Sequence, residues 1–157
     1  MRRLVVRPGG PLRGRCGVPG DKSISHRALL LSALADGPSQ VDGFLPAGDC
    51  LATLRCVQAL GVQVHRQSST SMTVHGQGLN GLRPPSGPLH CARSATTMRL
   101  LAGILAGQTF DSELTGDPQL LRRPMRRIVH PLQRMGAWIE AHGGHAPLSI
   151  QGQQLYG

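Results

Sequence analysis

Aromatic residues are nearly missing from this chain: its 157 residues include one Trp, one Tyr and two Phe. Proteins that bind single-stranded nucleic acid stack bases on aromatic platforms, so this supply argues against that class. Carboxylates are scarce too, eight against 17 Lys and Arg, which gives a net charge of +9 and a pI of about 11.2. None of them forms an obvious catalytic pair. No apolar run approaches the ~20 residues that span a bilayer. The opening MRRLVVRPGG lacks the apolar stretch of a secretory signal. The expected compartment is therefore the cytoplasm, with no membrane partner. Cys16, Cys50, Cys56 and Cys91 fall in no metal spacing, nor do the seven histidines, so no metal is expected. Free thiols are the default in a reducing compartment. Each histidine is expected at the surface or at a helix cap. No nucleophile–base set and no dinucleotide or Walker pattern is present.

What the chain does have is turns and a repeat. Its 21 Gly and 12 Pro read as many short elements joined tightly. One copy carries DKSISHRALLLSALADG, GFLPAGDCLATLRCVQALGVQVH and SMTVHG. The other carries CARSATTMRLLAGILAG, SELTGDPQLLRRPMRRIVHPLQRMGAWIEAHG and PLSIQG. Arg27 matches Arg99, Gly48-Asp49 matches Gly116-Asp117, and Gly61 matches Gly136. An offset of roughly 70 residues is long for a solenoid and suits two copies of a small α/β unit.

The pattern predicts, in the first copy, a helix over Ser23–Ala35 and a strand over Val41–Leu45. A second helix runs from Asp49 to Gly61, and strands cover Val62–His65 and Met72–His75. In the second copy it predicts helices over Ala95–Ala106 and Pro124–Met135. The strands there cover Thr109–Leu114, Ala137–Ala141 and Leu148–Gln151. Pro124 suits a first helical turn, where its missing N–H was unpaired anyway. Asp21 or Ser23 caps the first helix, and Asp49 and Asp117 read as caps of later ones. Adding strands at Gly14–Val18 and Leu89–Cys91, each unit is βαβαββ, about residues 14–76 and 88–152. The fold class is α/β (α+β), with helices on one face of a mixed sheet. Leu4–Val6 is a short extra strand without a partner. Both copies end in a strand, and Gly157 follows with no closing element, which reads as a truncated or split chain.

The candidate chemistry sits at helix starts. In Pro19-Gly20-Asp21-Lys22-Ser23-Ile24-Ser25-His26-Arg27 a tight turn feeds a helix whose free N–H groups favour anions. Lys22 adds a mobile charge and Ser23 a hydroxyl. Arg27, one turn on from Ser23, can grip a carboxylate with two parallel bonds. The second copy offers Ser94-Ala95-Thr96-Thr97-Met98-Arg99, where small residues permit close backbone approach. Arg122, Arg123, Arg126 and Arg127 follow, and one near the helix start could reach a phosphate. A capped helix with solvated Lys and Arg accounts for either start about equally well.

PGDKSISHRALLLSALADG resembles the N-terminal motif of the 5-enolpyruvylshikimate-3-phosphate (EPSP) synthase family. SATTMRLLAGILAG and LTGDPQLLRRPM resemble its next two motifs, in the same order, so that the likeness runs from about Val18 to Gln151. The related UDP-N-acetylglucosamine enolpyruvyltransferases share the fold but typically carry Lys-Asn where this chain has Lys22-Ser23. The resemblance implies the enolpyruvyltransferase fold, two domains of three βαβαββ units each, with about two units of one domain here. It implies transfer of enolpyruvyl from phosphoenolpyruvate to shikimate-3-phosphate with release of phosphate, without metal or organic cofactor. It gives Lys22 contact with both substrates, Ser23 and Arg27 to shikimate-3-phosphate, and Arg123 and the backbone at Ala95 to phosphoenolpyruvate.

Two departures and one absence stand out. The family loop usually reads Gly-Asn-Ser/Ala-Gly-Thr, whereas here it is Ala92-Arg93-Ser94-Ala95-Thr96. Ala95 adds a methyl facing phosphoenolpyruvate, and Arg93 replaces a small amide. The family's acid/base carboxylates and later binding residues have no counterpart in these 157 residues. The chain alone is therefore expected to be inactive and to need the remainder of the enzyme as a partner.

Overall fold

The computed structural model of the protein describes residues 3–156; Gly157, read above as the open end, lies outside them. Its elements are α1 (Lys22–Leu34), β1 (Asp36–Asp42), α2 (Gly48–Ala59), β2 (Gln63–Arg66), β3 (Ser71–Gln77), β4 (Leu89–His90), α3 (Ala95–Ala106), β5 (Ser112–Thr115), α4 (Pro118–Leu121), α5 (Arg126–Arg134), β6 (Trp138–His142) and β7 (His145–Gln151). Two sheets result, one of order β1-β3-β2 and one of order β4-β5-β7-β6. All pairings are antiparallel except β4 with β5. The fold is thus mixed α/β, and the repeat seen in the sequence is repeated in space: β1, β3 and β2 correspond to β5, β7 and β6.

Alternation makes each sheet one-sided. Met72 and Val74 of β3, and Ala146, Leu148 and Ile150 of β7, point inward and are buried. The helices cover those faces. In α3, Met98, Leu101, Ala102 and Leu105 recur at helical spacing and are buried. Each such buried leucine contributes roughly 1.5–3 kcal/mol relative to exposure. Helix α1 packs on α2 and β3, α3 on α5 and β7, and α2 meets α3 between the two units. One core runs through both.

Four sequence expectations are corrected. The first-copy strand lies earlier than Val41–Leu45: β1 pairs from Asp36 with Gln77 to Asp42 with Ser71. Pro38 falls inside this strand, and an edge strand tolerates a proline. No strand forms over 14–18, and the segment is exposed. With Arg27 set on Arg99, Gly17 falls at the place of buried Leu89 and Pro19 at that of buried Cys91. Neither can bury an apolar side chain of that kind, and Pro19 has no N–H for a ladder. Leu4–Val6 likewise carries no strand; Leu4 is 89% exposed. Finally, Pro124 opens no helix. The short α4 uses Pro118 in its first turn, Pro124 forms a bridge with His145, and α5 begins at Arg126.

Candidate active site

The start of α1 is built by close backbone approach. A Cβ on Gly20 would lie 1.8 Å from the Gly43 carbonyl oxygen, so only glycine fits there. That approach seats Asp21 as the N-cap, its Oδ1 accepting the Ile24 N–H at 2.8 Å. Ser25 Oγ donates to the Asp21 carbonyl at 2.7 Å and accepts the Leu45 N–H at 2.9 Å, pinning the next loop to the helix.

Lys22, Ser23 and Arg27 all stand exposed on this helix. Lys22 is the chain's single lysine. Its Nζ pairs with the carboxylate of Asp49 in the first turn of α2. Asp49 is therefore no cap: Ala47 holds the N-cap position, and the carboxylate serves Lys22 instead. Arg27 donates from Nη1 to the Ser23 carbonyl at 3.2 Å, which holds its fork beside the start of its own helix.

The start of α3 faces the same junction. Ser94 is its N-cap, accepting the Thr97 N–H at 3.1 Å. Thr97 Oγ1 lies 3.4 Å from the backbone carbonyl of Asp49. One residue thus touches both units, its carboxylate on Lys22 and its carbonyl on α3. Ala95 is buried in the first turn of α3. The preceding Ala92 has φ 49°, a left-handed conformation that alanine rarely adopts. Arg93 reaches Asp117 at 3.3 Å and His90 lies 3.7 Å from it, which ties this loop to the turn before α4. That contact gives Arg93 a structural role in the loop. Asp117 holds the α4 N-cap position but makes no side-chain capping bond.

Arg123 is exposed on the turn after α4, and no polar contact joins it to Lys22 among the described residues. It belongs to a second cluster. Arg99 on α3 donates from Nη2 to the Pro124 carbonyl at 3.1 Å, while its buried Nε meets no acceptor. Burial, and then the neighbouring charges of Arg127 and Arg123, lower the Arg99 pKa. The sequence placed Arg99 at the candidate helix start as the match of Arg27, without assigning it a substrate. A groove of about 440 Å³ bordered by Asp111, Glu113 and Trp138 contains none of these residues.

Sequence reasoning also misplaced His26. It is fully buried, with Nδ1 2.6 Å from Thr53 Oγ1, and neither surface nor cap. A signal for this exists in the sequence: His26 precedes Leu29, Leu30 and Ala33 by three, four and seven positions, on the apolar face of α1.

These features define a class first: a mixed α/β scaffold of two like units, with two helix starts and one lysine meeting at the junction between them. Solved structures of that class overlay closely. An EPSP synthase from Acinetobacter baumannii matches with TM-score 0.86 at 46% identity, over 90% of this chain and 32% of that one. The curated 3-phosphoshikimate 1-carboxyvinyltransferase of Alkalilimnicola ehrlichii is 58% identical over 97% of this chain and 34% of its own length. That of Acidithiobacillus ferrooxidans is 54% identical over 100% and 36%. The family model of EPSP synthase (3-phosphoshikimate 1-carboxyvinyltransferase) matches residues 6–157, and the chain belongs to that family. It spans about a third of the length of these relatives. No described helix is long and apolar enough to cross a membrane.

Proposed function

We propose that this chain supplies the Lys22, Arg27 and Arg123 share of an EPSP synthase site, which transfers enolpyruvyl from phosphoenolpyruvate to shikimate-3-phosphate and releases phosphate. The observation that carries the reading is the junction at Asp49, where Lys22 and the start of α3 converge. Two polyanionic substrates repel one another. A lysine, two helix starts and an arginine cluster offset that repulsion and orient them for attack. In this reading Ser23 and Arg27 hold shikimate-3-phosphate, with Arg27 on its carboxylate. Arg123 and the backbone at Ala95 hold phosphoenolpyruvate, and Lys22 leaves Asp49 to contact both. The chain divides into units of about 14–76 and 88–152, works in the cytoplasm, and acts only beside the remainder of the enzyme. A folded but non-catalytic piece is the competing reading.

Phosphate release from the two substrates tests this, using the chain with and without a separately expressed remainder of a family member. Release is expected only on mixing, and Lys22→Ala or Arg123→Ala should abolish most of it. No release on mixing two folded pieces would leave the non-catalytic reading standing.

A further inference from the structure

Between the two helix starts lies a buried row of polar groups that the proposed reaction does not use. His26 Nδ1 lies 2.6 Å from Thr53 Oγ1, Thr53 Oγ1 lies 2.7 Å from Thr97 Oγ1, and Thr97 Oγ1 lies 2.7 Å from Ser94 Oγ. All four residues are buried, and they come from α1, α2, α3 and the α3 N-cap. Each hydroxyl has one proton, so a row that passes donation unbroken from one end to the other runs in one of two directions. If Ser94 donated first, Thr97 would donate to Thr53 and Thr53 to His26 Nδ1. The imidazole proton would then sit on Nε2, which meets no acceptor. A buried N–H without an acceptor is among the costliest of unmet groups, more so than a bare lone pair. The opposite direction leaves Nε2 a bare lone pair and moves the unspent proton to the Ser94 hydroxyl, which can rotate at the helix start as a fixed ring N–H cannot. It also matches the Thr97 hydroxyl's donation to Ser94 Oγ at 2.7 Å, which spends the one Thr97 proton, so Thr53 donates to Thr97 and keeps none for His26.

We infer that His26, Thr53, Thr97 and Ser94 form one directed hydrogen-bond chain, donor to acceptor in that order, which locks the start of α3 to α1 and α2. His26 carries its proton on Nδ1. Ser94 receives two bonds, from the Thr97 hydroxyl and the Thr97 N–H, and keeps its own proton uncommitted at the helix start. His26 and Thr53 are positioning residues that touch no substrate. They fix the distance between the lysine-bearing helix and the helix that begins at Ala95. The consequence for ligands rests on the proposed function; the direction of the chain does not.

The test uses isotope-labelled protein and nitrogen NMR. On the unsubstituted chain, His26 should show a protonated Nδ1 and a bare Nε2. In Thr53→Val, which keeps the side chain's shape, the His26 Nδ1 resonance should move. Amide exchange at Thr97 should rise about tenfold, the equivalent of one lost hydrogen bond. Thr53→Ser should restore both. A proton on Nε2 would overturn the direction, and that measurement needs no variant to fold. Unchanged Thr97 exchange in a folded Thr53→Val would overturn the lock. Phosphoenolpyruvate titrated into the same samples, each mixed with a separately expressed remainder of a family member, should bind about tenfold more weakly to Thr53→Val and recover with Thr53→Ser. Equal binding by a folded Thr53→Val would overturn the positioning role. If the unsubstituted chain mixed with that remainder binds no phosphoenolpyruvate and releases no phosphate, the functional proposal falls, while the tautomer and exchange readings still decide the chain.

Discussion

The two repeats share a helix–strand–helix–hairpin plan and differ at the strand before the first helix. In the second repeat, Leu89 and His90 run parallel to Leu114 and Thr115, with Leu89 and Cys91 filling the core. In the first repeat the corresponding segment lies exposed, and among the described residues the outer edge of β1 has no strand beside it. The difference teaches that a strand two residues long is held by the apolar side chains it buries more than by its ladder. Substitutions at the two places should break the comparison open. Leu89→Ala should cost about 2–4 kcal/mol, the transfer loss plus a cavity in a site 3% exposed. Val18→Ala, at a residue 79% exposed, should stay within about 0.5 kcal/mol. Urea midpoints of the two variants measure both. Comparable losses would mean that the 14–18 segment packs in solution.

The helix starts differ in a parallel way. Asp21 is an exposed cap with one bond to Ile24, while Ser94 is a buried cap with two bonds to Thr97. Asp21→Ala should cost about 1 kcal/mol, the usual loss of an exposed cap. Ser94→Ala should cost about 2 kcal/mol, because a buried N–H loses its acceptor. Equal urea-unfolding losses would show that burial of the second start adds nothing.

The same buried row makes the first repeat sensitive to acid. Burial, followed by the Lys22 charge, lowers the His26 pKa below 6.5; Asp49 opposes the shift and Arg27 adds to it. The unfolded chain takes up this proton near 6.5, and the folded chain resists it. The contribution is therefore fully present above pH 6.5 and is lost as pH falls through that value toward the lower folded one. Urea midpoints between about pH 8 and 5 should show this decline, and His26→Gln should flatten it. An identical slope in the variant would assign the acid sensitivity elsewhere.

Much of this was legible in the sequence because periodicity is local. Leu29, Leu30 and Ala33, or Met98, Leu101 and Leu105, mark their helices without reference to anything distant. The hairpins and the turns at Gly61 and Gly136 were equally plain. What stayed hidden depends on partners far along the chain. Gly37-Pro38 becomes a strand only because Gly76 and His75 lie opposite. Asp49 leaves its capping role because Lys22 is brought to it, and Arg93 acquires a role because Asp117 is near. Of the candidate site, Lys22, Ser23 and Arg27 could be grouped from one helix. The junction at Asp49, and the crowding of Arg99 with Arg123 and Arg127, required the fold.

The smallest expected effect lies at the loop before α3, where the repeats use different residues at one position. Gly20 in the first repeat is sterically compelled, since a Cβ would meet the Gly43 carbonyl oxygen at 1.8 Å. Its counterpart Ala92 has room for a methyl but sits at φ 49°. Its carbonyl also accepts the Asp117 N–H at 2.9 Å, which holds it in that conformation. A left-handed alanine costs roughly 1–2 kcal/mol. Glycine would remove that strain and return part of it as extra freedom in the unfolded chain. Ala92→Gly should therefore stabilise the protein by about 0.5–1 kcal/mol, read as a raised urea midpoint at unchanged slope. A lowered midpoint would mean that Ala92 relaxes out of the left-handed region in solution. The Asp117 bond and the Arg93 tether could not then be what holds the start of α3 in place.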